Sequence, residues 1–216
     1  MGKSIWGPFG PMTGKIGNLV YYRANGVNRV RTIGKITVPP TPAQLQIRMQ
    51  MKVISQFLKL LTELLNVGFK MMAKVGSSPF NAATAYNIRH ALTGLYPDVS
   101  IDYSKVMISM GSLELPTEMD VQLTTEGLQF TWDGSSPNYY PRPDDQVMLL
   151  AYFPGQYKAV YELYGPNRQV GLAKFPLPDD LIVEPMVVYM AFVSPDRKRL
   201  SNSMYLGWIN ANEGIV

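Results

Sequence analysis

Apolar positions recur at spacings of three and four from Leu45 to Leu65, the longest stretch of helical period in the chain. Leu45, Met49, Val53, Phe57, Leu60, Leu61, Leu64 and Leu65 make one wide stripe, and Ile47, Met51, Ile54 and Leu58 extend it to a second face. Thr41 before Pro42, with Gln44 at the third helical position, is a start signal: a hydroxyl can accept a free first-turn N–H, and proline has no N–H to lose there. Pro39 and Pro40 block any extension backwards. The pattern predicts a long helix over Thr41–Lys74, with Gly68 and Gly76 as candidate breaks or ends. Its two apolar faces require cover, either from the chain's own sheet or second helix, or from another copy. A second helix is expected after Ser78 as N-cap and Pro79 at N1, ending at Gly94.

The flanks have other periods. Residues 1–17 are rich in Gly and Pro and read as an irregular arm. NLVYYRA, Asn25-Gly26 and VNRVRTI follow as a β-hairpin, since both turn residues tolerate positive φ. On its second strand Arg29 and Arg31 share a face, and Arg23 is expected to join them across the pair. From Tyr96 onward short apolar runs alternate with turn residues: SKVMISM, DVQLTT, LQFTW, QVMLLAYF, KAVYELY, QVGLAKF, VVYMAFV and SMYLGWI. Glu126-Gly127 marks a tight turn, and residues 133–143 a longer loop. The expected fold is α+β: a β-hairpin and two-helix hairpin in residues 1–95, then an immunoglobulin-like antiparallel β-sandwich in 96–216.

Charge sharpens this division. Residues 1–94 hold 12 Lys and Arg against one acid, Glu63, and residues 95–216 hold 8 against 15 acids. That asymmetry fits a nucleic-acid face, head-to-tail attraction between copies, or attraction within one chain. Tyr21, Tyr22, Arg23, Arg29, Arg31, Lys35, Arg48 and Lys52 form the one partner-like cluster, suited to assembly contacts or to tracking a phosphate backbone. The chain has 216 residues, 46% of them hydrophobic, enough for a real core. It has no cysteine, so neither a disulfide framework nor a thiolate ligand is available. No charge-free run is long enough to span a membrane, and no cleaved signal is visible, so a cytoplasmic protein or one assembled into a particle or filament is expected.

Several blocks carry a resemblance. G-K-I-G-N-L-V-Y-Y-R-x-N-G at Gly14–Gly26, Arg31, and T-P-A-Q-x-x-x-R at Thr41–Arg48 are similar to a family of uncharacterised Bacteroidota proteins, defined only as a domain of unknown function. SPFNAATAYN at Ser78–Asn87, YPDVSIDYSKVMIS at Tyr96–Ser109 and RLSNSMYLG at Arg199–Gly207 resemble its later blocks. The first third is also similar to short proteins encoded among phage and prophage structural genes, which implies an assembly role.

Candidate chemistry is sparse. Gly10-Pro-Met-Thr-Gly14-Lys15 is one residue short of a phosphate-binding loop, and Ile16 stands where the hydroxyl belongs. His90 is the only histidine, with no cysteine and no nearby carboxylate to complete a metal site or triad. Asp144-Asp145 and Asp179-Asp180 follow prolines and read as turn residues. No catalytic, cofactor or metal residue and no small-molecule substrate is expected. The expected function is a non-enzymatic structural protein that forms oligomers or filaments through its arm, hairpin and helix. The alternatives are a nucleic-acid-binding module using the basic third, and a protein- or carbohydrate-binding sandwich using Trp132, Tyr139 and Tyr140.

Overall fold

A computed structural model of the chain describes residues 2–4, 10–24, 26–35, 37–135 and 142–211. Asn25 of the expected turn, and Tyr139 and Tyr140, lie outside them. The chain forms two compact units, 1–41 and 42–216.

The first unit is a four-stranded antiparallel sheet in chain order, β1 (Lys3–Ser4), β2 (Met12–Ile16), β3 (Leu19–Ala24) and β4 (Val27–Thr32). Leu19 lies opposite Thr32 and Ala24 opposite Val27; Ile16 lies opposite Leu19 across Gly17-Asn18, with Gly17 at φ +60°. Residues 12–16, part of the expected irregular arm, are therefore strand.

The second unit is α+β. Strands β9 (Gln146–Phe153) and β12 (Met186–Val193) are the middle of a sheet ordered β10-β9-β12-β13, with β10 (Lys158–Glu162) and β13 (Met204–Ile209) at its edges. A second sheet, β11-β8-β7, comprises β7 (Asp120–Thr124), β8 (Gly127–Thr131) and β11 (Leu172–Pro176). Both are antiparallel. Side chains alternate across β9 and β12. Leu149, Ala151, Phe153, Val188, Met190 and Phe192 meet Leu128, Phe130 and Phe175 between the sheets. Leu150, Tyr152, Val187 and Tyr189 point the other way, into a core with the helices. Cover on both faces is why QVMLLAYF and VVYMAFV lack a polar face.

The helical layer is α1 (Pro42–Lys59), α2 (Thr62–Gly68), a 3-10 turn at Lys70–Met72, and α3 (Pro79–His90). The expected single helix is thus broken at Leu60-Leu61. Leu60 and Leu61 N–H donate to Phe57 and Leu58 O, a tighter i→i−3 pattern, and the Thr62 hydroxyl donates to Lys59 O. The break lets Leu61, Leu64 and Leu65 share one core with Ile54, Phe57 and Leu58. Gly68 does end α2, but through close approach: a Cβ there would strike Ile108 O. Ser78 caps α3, its hydroxyl accepting Asn81 N–H at 3.2 Å. The helix ends at His90 rather than at Gly94, which follows the short β5 (Leu92–Thr93) that pairs with β6 (Ser100–Ile101). Because the helices bury their apolar face on the sheet, the contact boundary falls at Thr41/Pro42, whereas composition divides the chain at residues 95/96.

SKVMISM is not a strand. Tyr103–Lys105 is a 3-10 turn, and the rest is an extended strap held by distant side chains. Asn87 brackets Met107, accepting its N–H and donating to its C=O, both at 2.9 Å. Ile108 N–H donates to Ser203 Oγ at 3.0 Å, and Ser109 Oγ donates to Ser201 O at 2.8 Å. Among the described residues no helix is long and apolar enough to cross a membrane.

Candidate functional site

The register of β2, β3 and β4 sorts the basic cluster into faces, since directly opposite residues point the same way. Arg31 lies opposite Val20, which lies opposite Lys15; Arg29 lies opposite Tyr22. One face therefore carries Lys15, Arg29 and Arg31 with Val20 and Tyr22. Lys15 and Arg31 are two strand spacings apart, about 10 Å. Arg23 does not join Arg29 and Arg31: it pairs with Asn28 on the opposite face, its Nε donating to Gly26 O at 3.3 Å. Tyr21 is on that face too, with Ile16, Leu19 and Val30. The sheet is thus amphipathic, one face cationic and the other mainly apolar. A shallow depression of about 530 Å³ beside Tyr21 and Val30, lined also by Gly10, Pro11 and Met12, lies in this unit.

None of the unit's described residues is internal. No described residue between 2 and 41 is buried, every residue of β4 is exposed, and Val27 and Val30 keep 56% and 55% of their surface open to solvent. Lys15 is the member that sequence reasoning missed. The signal was Gly17-Asn18, a two-residue turn of hairpin type that fixes Lys15 opposite Val20. Lys35 is exposed beyond β4.

Arg48 and Lys52 belong to the other unit. They are exposed on α1 one turn apart, flanked by Ile47 and Met51, also exposed. The stripe covers the first part of α1, whose buried residues begin at Ile54.

Residues 12–16 run as strand, so no helix N-terminus follows Lys15 to hold a phosphate. His90 is exposed at the end of α3 against Tyr86, ring centres 4.5 Å apart. No group of three His, Cys, Asp or Glu among the described residues could hold a metal ion. Trp132 is buried, its Nε1 donating to Arg168 O at 2.7 Å, so it offers no ring face to a ligand. Asp180 meets Lys158 at 3.2 Å, and Asp179 and Asp180 open the short α4 (Asp179–Ile182). Asp145 is more than a turn residue: both it and Arg168 are 1% exposed, with Nε and Oδ2 4.0 Å apart. Asp145 Oδ2 accepts Arg142 N–H, and the Arg168 guanidinium lies over the Phe192 ring and donates to Glu114 O. Burial pushes the Asp145 carboxyl up and the Arg168 guanidinium down; the Arg142 N–H and the opposite charges pull back. The pair joins the approach to β9 with the approach to β11, and Asp145 Oδ1 and Arg168 Nε are both closed to solvent.

The architecture defines an α+β protein in which a helical layer covers one sheet of a two-sheet antiparallel stack, preceded by a separate small basic sheet. Residues 11–207 match the model of a family of unknown function, DUF6266, and the chain belongs to that family. No curated protein and no solved structure matches it.

Proposed function

We propose that this is a non-enzymatic structural protein whose N-terminal sheet joins copies into oligomers or filaments. The observation that carries this reading is the exposure of that sheet. Its described residues bury nothing, yet one of its faces is apolar and its last strand has a free edge. A small sheet gains stability by packing that face and pairing that edge, and another protein surface can supply both. The exposed stripe of Ile47, Arg48, Met51 and Lys52 on α1 points the same way. We read the two-sheet stack as immunoglobulin-like. The strand orders β11-β8-β7 and β10-β9-β12-β13 support this, since chain neighbours pair within a sheet and the chain then crosses to the other. The test is deletion of residues 1–41. The expected result is a folded monomer by circular dichroism and light scattering; association undiminished by the deletion overturns the reading.

A second reading is favoured by one observation. Lys15, Arg29 and Arg31 share a face with Tyr22, and residues 1–41 hold six Lys and Arg and no acid. Cations interleaved with an aromatic suit a single-stranded nucleic acid. Binding of a labelled oligonucleotide that weakens steeply with salt, and that is lost in Arg29→Ala/Arg31→Ala, would favour it over assembly.

A further inference from the structure

Resting on the assembly reading, the geometry points to a specific contact: the free edge of β4 in one copy adds antiparallel to the outer edge of β7 in a second copy, with Arg31 opposite Asp120.

Among the described residues neither edge has a partner strand. β4 ends the first sheet and β7 ends the sheet β11-β8-β7. Ile33 N–H donates to Asn18 O at 2.8 Å, so by alternation the backbone groups of Asn28, Val30 and Thr32 point away from β3. Pairing β4 with a second β4 is opposed by charge. The two same-face registers with most overlap set Arg29 against Arg29, or Arg29 against Arg31.

The β7 edge has the opposite character. Residues 106–141 contain five acids and no Lys or Arg. Asp120 lies in the strand, with Glu118 and Glu126 beside its two ends. Its inward side chains are Val121, packed against the inter-sheet core, and Leu123, which is paired with the buried Leu128 yet still 41% exposed. With Arg31 opposite Asp120, Arg29 meets Gln122 and Val27 meets Thr124 on the outward side. Val30 then meets Val121, and Asn28 meets Leu123, on the inward side. The apolar face of the added sheet continues the inward face of the sandwich, and a slip of one residue would reverse this. Each copy presents one edge of each kind, so the contact is head-to-tail and propagates unless its rotation closes a ring.

The chain has no cysteine, so introduced thiols are unique. Full-length Val27→Cys and Thr124→Cys proteins, mixed and oxidised, should yield a disulfide-linked pair. Val27→Cys mixed with Val75→Cys, an exposed thiol elsewhere, should not. Arg31→Glu alone and Asp120→Arg alone should each weaken association by about tenfold or more, and the double variant should recover most of it. Association that is lost on deleting residues 1–41 but indifferent to both reversals overturns the β7 contact and leaves the assembly reading standing. A bridge that forms only with both cysteines on one chain overturns the contact between copies. A wild-type chain that stays monomeric at all concentrations overturns both.

Discussion

Asn87 joins two segments that are far apart in sequence. It is fully buried on α3; its Nδ2 donates to Ala83 O and Met107 O, and its Oδ1 accepts Met107 N–H. Asn87→Leu keeps the bulk but strands the N–H and C=O of Met107, and the expected cost is about 1–3 kcal/mol in urea unfolding. Arg168 and Asp145 differ in what their loss leaves behind. Arg168→Leu leaves a buried carboxylate beside an apolar side chain and should cost about 3–5 kcal/mol, whereas Asp145→Asn keeps an acceptor for Arg142 N–H and should cost less. Their pH dependence separates them further. Burial holds the Asp145 carboxyl above its unfolded value, so the fold binds that proton more tightly than the unfolded chain does. The resulting stability is fully present below the unfolded value and is lost as pH rises through the folded one. Asp145→Asn lacks this proton, so stability of wild type minus variant is expected to be greatest in acid and to fall towards neutral pH. Asp102, held low first by its hydrogen bond with Lys105, weakens both proteins in acid and cancels in the difference.

At the scale of elements, α2 and the strap after Lys105 are fitted to one another. Gly68 presents its Cα to the Ile108 carbonyl, and its own O accepts Met110 N–H at 2.9 Å. Gly68→Ala is therefore expected to lower stability by about 1–3 kcal/mol through displacement of that strap, although alanine is the better helix former. A gain in melting temperature would contradict this packing. What the sequence made legible follows from where each element finds its partners. β9 and β12 were plain as apolar runs because both faces are buried, and α3 was plain from Ser78-Pro79 because its cap is local. The strap read as a strand because Val106 and Ile108 are buried, while its hydrogen-bond partners, Asn87, Ser201 and Ser203, are distant in sequence. The helix break at Leu60-Leu61 carries no Gly or Pro and depends on the shape of the sheet beneath. In the basic cluster, period two placed Arg29 and Arg31 together. The membership of Lys15 and the exclusion of Arg23 needed the cross-strand register.

On the scale of the whole molecule, the two units answer different demands. Residues 42–216 carry three buried apolar clusters and a strap hydrogen-bonded to Asn87, Ser201 and Ser203, which suits a stable body. Residues 1–41 carry six positive charges, no acid and no buried side chain among those described, which suits a contact element. If attraction between unlike surfaces guides association, it weakens with salt. If apolar cover then holds the copies together, salt slows association more than it reverses it. The central claim is that the N-terminal sheet is the element that joins copies. The most direct test is light scattering on the purified full-length protein over a concentration series, at low and high salt, beside the same series for residues 42–216. The account predicts concentration-dependent oligomers for the full chain and a folded monomer for the shorter one; a full chain that remains monomeric throughout, or a shorter one that assembles equally well, would contradict it.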